Sequence, residues 1–207
     1  KKHSSEEHIA HKVEHSKDVT FIFGGAKVHE SMHVIKKWLI DKRINKILLG
    51  GALIPLFLHA RGYKIHKSLD YITRTNVIEH LEDVKSILHG HAEKIILPVD
   101  VALNLDGKRV ECYIEDLNNE QNIEKFKDAE IFDIGEKTIA LYSDIIKSSD
   151  AIVANGPLGV YELENFHSTD NKPSHAVQPL KKTEIDVASI SIKKVFRREV
   201  EEGELED

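Results

Sequence analysis

At 207 residues, the chain suits one large domain or two small ones and can bury a core without metals or disulfides. Its 29 basic and 35 acidic residues give a net charge of −6, which argues against a general binder of nucleic acid or acidic membrane. The single cysteine, Cys112, excludes an internal disulfide and fits a reducing, cytoplasmic setting.

The chain begins at Lys1 and its only methionine is Met32, so it reads as starting inside a longer gene product. Residues 1–17 form a polar lead-in or linker. If that stretch is helical, His8, His11 and His15 share one face through steps of three and four. Such spacing suits a metal, but with no cysteine or clear carboxylate cluster beside it an exposed lead-in helix or linker is the better account, and no metal site is assigned.

From Asp18 the pattern alternates between short apolar runs and helical periodicity. VTFIFGG (Val19 to Gly25) predicts a strand running into glycines, and SMHVIKKWLIDKR (Ser31 to Arg43) predicts an amphipathic helix. NKILLGG (Asn45 to Gly51) repeats the strand-and-glycine pattern. ALIPLFLHARGY then reads as an apolar helix that tolerates Pro55 in its first turn. The nearly apolar run from Ile47 to Leu58 is about a dozen residues, short of the roughly 20 that a bilayer requires, so no membrane is expected.

Asn76 to His89 predicts another amphipathic helix, with His89 and His91 read as solvent residues at its end. KIILPVDVAL (Lys94 to Leu103) is a strand broken by Pro98, and Asp100 reads as an exposed strand-end aspartate. Asp106-Gly107 signals a hairpin within Leu105 to Ile114. Ile131 to Gly135 is a short apolar run, Lys137 to Ser148 a helix, and AIVANGP (Ala151 to Pro157) a further strand and turn. The alternation implies an α/β fold, a Rossmann-like three-layer αβα sandwich with a mainly parallel sheet. The α/β domain is placed at residues 18–166, and residues 167–207 form a divergent C-terminal segment with an acidic tail.

In such folds ligands bind at the carboxyl ends of the strands, where the glycine turns fall. At Gly24-Gly25-Ala26-Lys27, backbone N–H groups and a helix start suit an anion, with Lys27 as a mobile charge. A tight turn with a solvated lysine explains the same residues. Gly50, Gly51 and Ala52 either admit a flat ring or simply allow close packing. Asn155, Pro157, Gly159, Val160 and Glu162 form a rigid loop ending in a carboxylate. Neither GxGxxG nor a Walker A loop is present.

Taken in order, FGGAKVHESMHVI, LLGGALIPLFLHARGY, ILPVDVAL, DGKRVE, FDIGEKTI and VANGPLGVYELENF resemble the nucleotide-binding half of phosphoglycerate kinase, particularly archaeal forms. The resemblance covers about Thr20 to Phe166. It implies a phosphotransferase of glycolysis or gluconeogenesis that moves a phosphoryl group reversibly between 1,3-bisphosphoglycerate and ADP, with Mg2+ carried by ADP or ATP. It further implies that Lys27 contacts the transferring phosphoryl group beside the backbone of Gly24 and Gly25. Gly50, Gly51 and Ala52 would then face adenine, with Gly135 on the opposite side of that pocket. Asn155 and Pro157 to Val160 would lie near the α-phosphate and base, and Glu162 would bind ribose.

The chain also departs from that pattern. Ser31 stands where many members carry a second phosphate-binding lysine, and neither a GGGDS-like loop nor a THxSTGGG-like segment is found. Phosphoglycerate is expected to bind only through an N-terminal half missing from this chain, which alone should be inactive. A noncatalytic kinase-like module that binds nucleotide or a protein partner is the rival reading. A dehydrogenase-like dinucleotide domain is more distant, because GxGxxG is lacking.

Overall fold

The computed structural model describes residues 16–156, 158 and 159. The lead-in histidines, Pro157, Val160, Glu162 and the segment from residue 167 lie outside the described residues.

Four strands form a parallel sheet in the order β3-β2-β1-β7, comprising β1 (Val19–Phe23), β2 (Ile44–Leu49), β3 (Ile95–Ile96) and β7 (Ala151–Asn155). Every residue of β1 is buried, including Thr20, as expected for a central strand covered on both faces. Thr20 satisfies its hydroxyl against Ser149 at 2.6 Å. The chain moves from β1 to β3 toward one edge, then returns to place β7 on the other side of β1. Right-handed crossovers therefore put the first helices on one face and the last on the other. The strand order reverses beside β1.

Helix α1 (Val28–Trp38) follows β1, three residues earlier than its periodicity predicts. It buries Val28, Met32 and Ile35. The Lys94 ammonium closes its far end by donating to the carbonyls of Leu39 at 2.7 Å and Asp41 at 2.9 Å. Helix α2 (Leu53–Ala60) buries six consecutive residues, and Pro55 sits in its first turn, where no intrahelical N–H bond is lost. Helix α3 (Ser68–Arg74) has no counterpart in the sequence reading. The expected helix from Asn76 is split, because Asn76 takes a left-handed φ of 58°. A 3₁₀ turn (Val77–His80) follows it and leads into α4 (Leu81–Gly90).

The broken strand at Pro98 feeds two sheets. Before the proline, β3 adds to the parallel sheet. After it, β4 (Asp100–Leu105) pairs antiparallel with β5 (Lys108–Tyr113) and β6 (Glu130–Ile134) in a separate three-stranded sheet. The β4–β5 turn carries positive φ at both Asp106 and Gly107, as a type I′ hairpin requires. A short α5 (Glu120–Lys125) starts at Asn119, whose side chain accepts from the Gln121 N–H. Cys112 is buried on β5, where burial together with the Asp116 carboxylate pushes its thiol up to about 11.

Helix α6 (Glu136–Ser148) joins the two sheets. Its start is capped by Asp100 of β4, which accepts from the N–H groups of Lys137 (3.0 Å) and Thr138 (2.7 Å) and from the Thr138 hydroxyl (2.6 Å). From its place after Pro98-Val99, Asp100 is expected at an exposed strand end. It is buried instead, because four unpaired N–H groups at a helix start attract a carboxylate even from a distant strand. Two turns on, the fully buried Tyr142 hydroxyl donates to the Leu49 carbonyl at 2.7 Å and accepts from the Leu49 N–H at 3.2 Å. Burial holds that phenol well above its ordinary value, so it stays neutral.

Candidate functional site

The first two glycine turns and the one after β7 meet at the carboxyl ends of β1, β2 and β7. Gly24 extends the sheet by donating to the Asn155 carbonyl at 2.8 Å, and Gly50 donates to the Phe23 carbonyl at 2.7 Å. Beyond the strands, the loops tie to one another: Ala52 N–H reaches the Gly25 carbonyl at 3.0 Å, and Gly51 N–H reaches that of Leu158 at 2.6 Å.

This proximity explains why the residues are glycines. A side chain at Gly51 would run into the backbone of Gly25, 2.6 Å from its oxygen, and Gly51 also has a φ of +54°. A side chain at Gly156, φ +79°, would lie 2.5 Å from the Gly24 oxygen. Gly24 and Gly25 are thus clasped between Gly51 and Gly156. The place a side chain would take at Gly50 is filled by Leu158. That position serves close packing, one of the two readings its sequence allows.

The loop after β7 then reaches the second sheet. A side chain at Gly159 would collide with the Asp133 carboxylate on β6, and one at Gly135 with that of Asp100. Asp133 is buried and held by the Arg109 guanidinium at 3.3 Å, while Arg109 also donates to the Ile134 carbonyl at 3.1 Å. Gly135 is therefore glycine because the cap of α6 passes beneath it. Asp133 has no place in the site expected from sequence; Leu158 belongs to the expected loop, but its packing against Gly50 does not follow from sequence, nor do the burial and capping role of Asp100. The two aspartates had a signal, since an acidic residue within an apolar strand must find buried partners.

Around the clasp, Gly25, Gly51, Ala52 and Gly156 are partly accessible and Asn155 is exposed, whereas Gly24, Gly50, Gly135 and Gly159 are buried. Lys27 stands at the mouth, exposed, at the N-cap position of α1, and among the described residues it pairs with no carboxylate. No side chain caps α1, and its early N–H groups open toward the same mouth, giving partial positive charge to a surface that carries a lysine. Ser31 is buried, and its N–H closes the first turn on the Lys27 carbonyl at 3.1 Å. A lysine at position 31 would have to snorkel out of the core. Chemically, the rim can hold an anionic group against backbone donors and one mobile cation.

No helix among the described residues is long and apolar enough to cross a membrane.

The model of the family described as phosphoglycerate kinase matches residues 5–192. Phosphoglycerate kinase of Methanococcus maripaludis is 39% identical over 146 residues, covering 70% of this chain and 34% of the relative. That of Methanothermus fervidus is 34% identical over 151 residues, covering 72% and 35% respectively. The crystal structure of phosphoglycerate kinase from Pyrococcus horikoshii superposes with a TM-score of 0.67 at 30% identity, covering 78% of this chain and 40% of that one. The chain spans about a third of the length of the curated relatives it matches. With three glycine turns clasped at one sheet edge and a lysine at their mouth, and with this match along most of its length, the chain belongs to the phosphoglycerate kinase family.

Proposed function

We propose that this chain is the nucleotide-binding part of a cytoplasmic phosphoglycerate kinase. It binds ADP or ATP with the Mg2+ that the nucleotide carries. The complete enzyme moves a phosphoryl group reversibly between 1,3-bisphosphoglycerate and ADP, giving 3-phosphoglycerate and ATP in glycolysis or gluconeogenesis. Phosphoglycerate binds through a half not present here, so the chain alone does not turn over.

The observation that carries this reading is the convergence of Gly24-Gly25, Gly51 and Gly156 at the reversal of strand order, with Lys27 exposed at the start of α1. Phosphoryl transfer asks for positioning and charge neutralisation more than for covalent chemistry. Backbone donors near Gly24 and Gly25 and the Lys27 ammonium meet that demand at the transferring group. Gly51 and Ala52 leave accessible surface for adenine, while Gly50 contributes by admitting Leu158 beneath it. Gly135 forms the opposite wall of that pocket through the capped start of α6. Asn155, Pro157, Gly159 and Val160 lie toward the α-phosphate and base, and Glu162 accepts from ribose.

Calorimetric titration of the chain with Mg-ADP, then with 3-phosphoglycerate, tests the reading. Binding of the first alone is expected, and absence of Mg-ADP binding overturns it. Glu162→Ala should weaken ADP binding. In an enzyme completed by its other half, Lys27→Ala should lower kcat far more than nucleotide affinity. Equal loss of both would mark Lys27 as a ground-state contact only.

A further inference from the structure

Away from the glycine clasp, α1 carries a second group of chemically active side chains. His29, on its first turn, faces the 3₁₀ turn about 50 residues later in the chain. Its Nδ1 lies 2.8 Å from Nε2 of His80 and 3.3 Å from Oε1 of Glu79. The three ligand atoms fall within 4.8 Å of one another, and the two imidazole rings are 4.8 Å apart at 57°.

We propose that His29, Glu79 and His80 form a site for a divalent transition ion, Zn2+ foremost. Two imidazoles and one carboxylate are a donor set that zinc takes in tetrahedral geometry, with water filling the fourth position. With Zn–N distances of about 2.0–2.1 Å, tetrahedral ligands stand roughly 3.3 Å apart, so the pair at His29 and His80 need only part by about half an ångström. Half of the His29 side chain is exposed, 51% by relative area, which leaves it free to make that movement.

A carboxylate also stands behind His80. Nδ1 of His80 points at Oδ2 of Asp83, 3.7 Å away, and Asp83 is itself anchored by the Lys36 ammonium at 2.7 Å. Drawn in to hydrogen-bond distance, such a carboxylate fixes the proton on that ring nitrogen and leaves the other nitrogen to ligate. The left-handed turn at Asn76 starts the short helix that presents Glu79 and His80 side by side toward α1. The ion would clamp the first turn of α1, just past Lys27, onto the segment leading into α4. Hard cations such as Mg2+ are a poor match, since they favour all-oxygen ligands.

The histidine-rich start of the chain would compete for zinc, so the test uses the full chain with His3→Gln, His8→Gln, His11→Gln and His15→Gln. After chelator treatment, this background is titrated with Zn2+ by calorimetry and with Co2+ by visible absorption. One equivalent per chain is expected, with the intense cobalt bands of a tetrahedral site and a rise in Tm with Zn2+ but none with Mg2+. His29→Ala and His80→Ala should abolish binding, and Glu79→Gln should weaken it. Asp83→Asn should cost about tenfold in affinity, the lower end for loss of an outer-shell partner. Circular dichroism of each metal-free variant separates loss of ligand from loss of fold, and the exposed Glu79→Gln remains informative if a histidine variant misfolds. Absence of Zn2+ binding in the background overturns the proposal. So does binding that persists unchanged when His29 and His80 are both replaced.

Discussion

Gly51 at the rim of the parallel sheet and Gly107 at the tip of the antiparallel hairpin make the same backbone excursion, with φ of +54° and +78°. Around Gly107 a side chain would meet nothing within 4 Å; at Gly51 it would meet the backbone of Gly25 at once. The hairpin needs glycine only for its dihedral angle. The rim needs it for both angle and space, because two other loops press against it. A shared local conformation thus belongs to a simple turn in one sheet and to a tertiary junction in the other. The rim is also the region with the lysine and the exposed helix start.

The sharpest way to break this comparison is Gly51→Ala. Left-handed strain of about 1–2 kcal/mol and overpacking of about 1–3 kcal/mol should add, so urea unfolding should show a loss of roughly 3 kcal/mol. ADP affinity should fall with it. Next comes Tyr142→Phe, which cuts the tie between α6 and β2 and removes the hydroxyl that donates to the buried Leu49 carbonyl. A loss of about 1–3 kcal/mol by the same measurement is expected, and a neutral result would mean that water replaces the hydroxyl. The smallest effect belongs to Gly107→Ala, about 1 kcal/mol from strain alone. If it costs as much as Gly51→Ala, crowding at the rim is not what distinguishes the two sites.

Much of this was legible from local chemistry. Asp106-Gly107 announced its turn because type I′ geometry requires two residues that accept positive φ. Pro98 announced a break, since it cannot donate to a ladder, although not that the chain would change sheets there. The GGAK and LLGGAL turns were visible as glycines following apolar runs. What these glycines press against was not visible: Leu158 over Gly50, Gly24 under Gly156, and Asp133 under Gly159 are all distant in sequence. Asp100 belongs with them, because its partners Lys137 and Thr138 come 37 and 38 residues later in the chain. The helix expected from Asn76 was divided by one left-handed residue, which periodicity does not register.

By itself, the sequence determined the alternation of strand and helix, the positions of the turns and the family, because these follow from hydrophobic period, glycine and proline placed along the chain. Only the tertiary structure decided that Gly51, Gly24-Gly25 and Gly156 form one clasp, that Asp100 caps α6, and that His29 meets Glu79 and His80. Those contacts depend on which strand lies beside which, and strand order is set by burial across the whole domain rather than by any neighbouring residue.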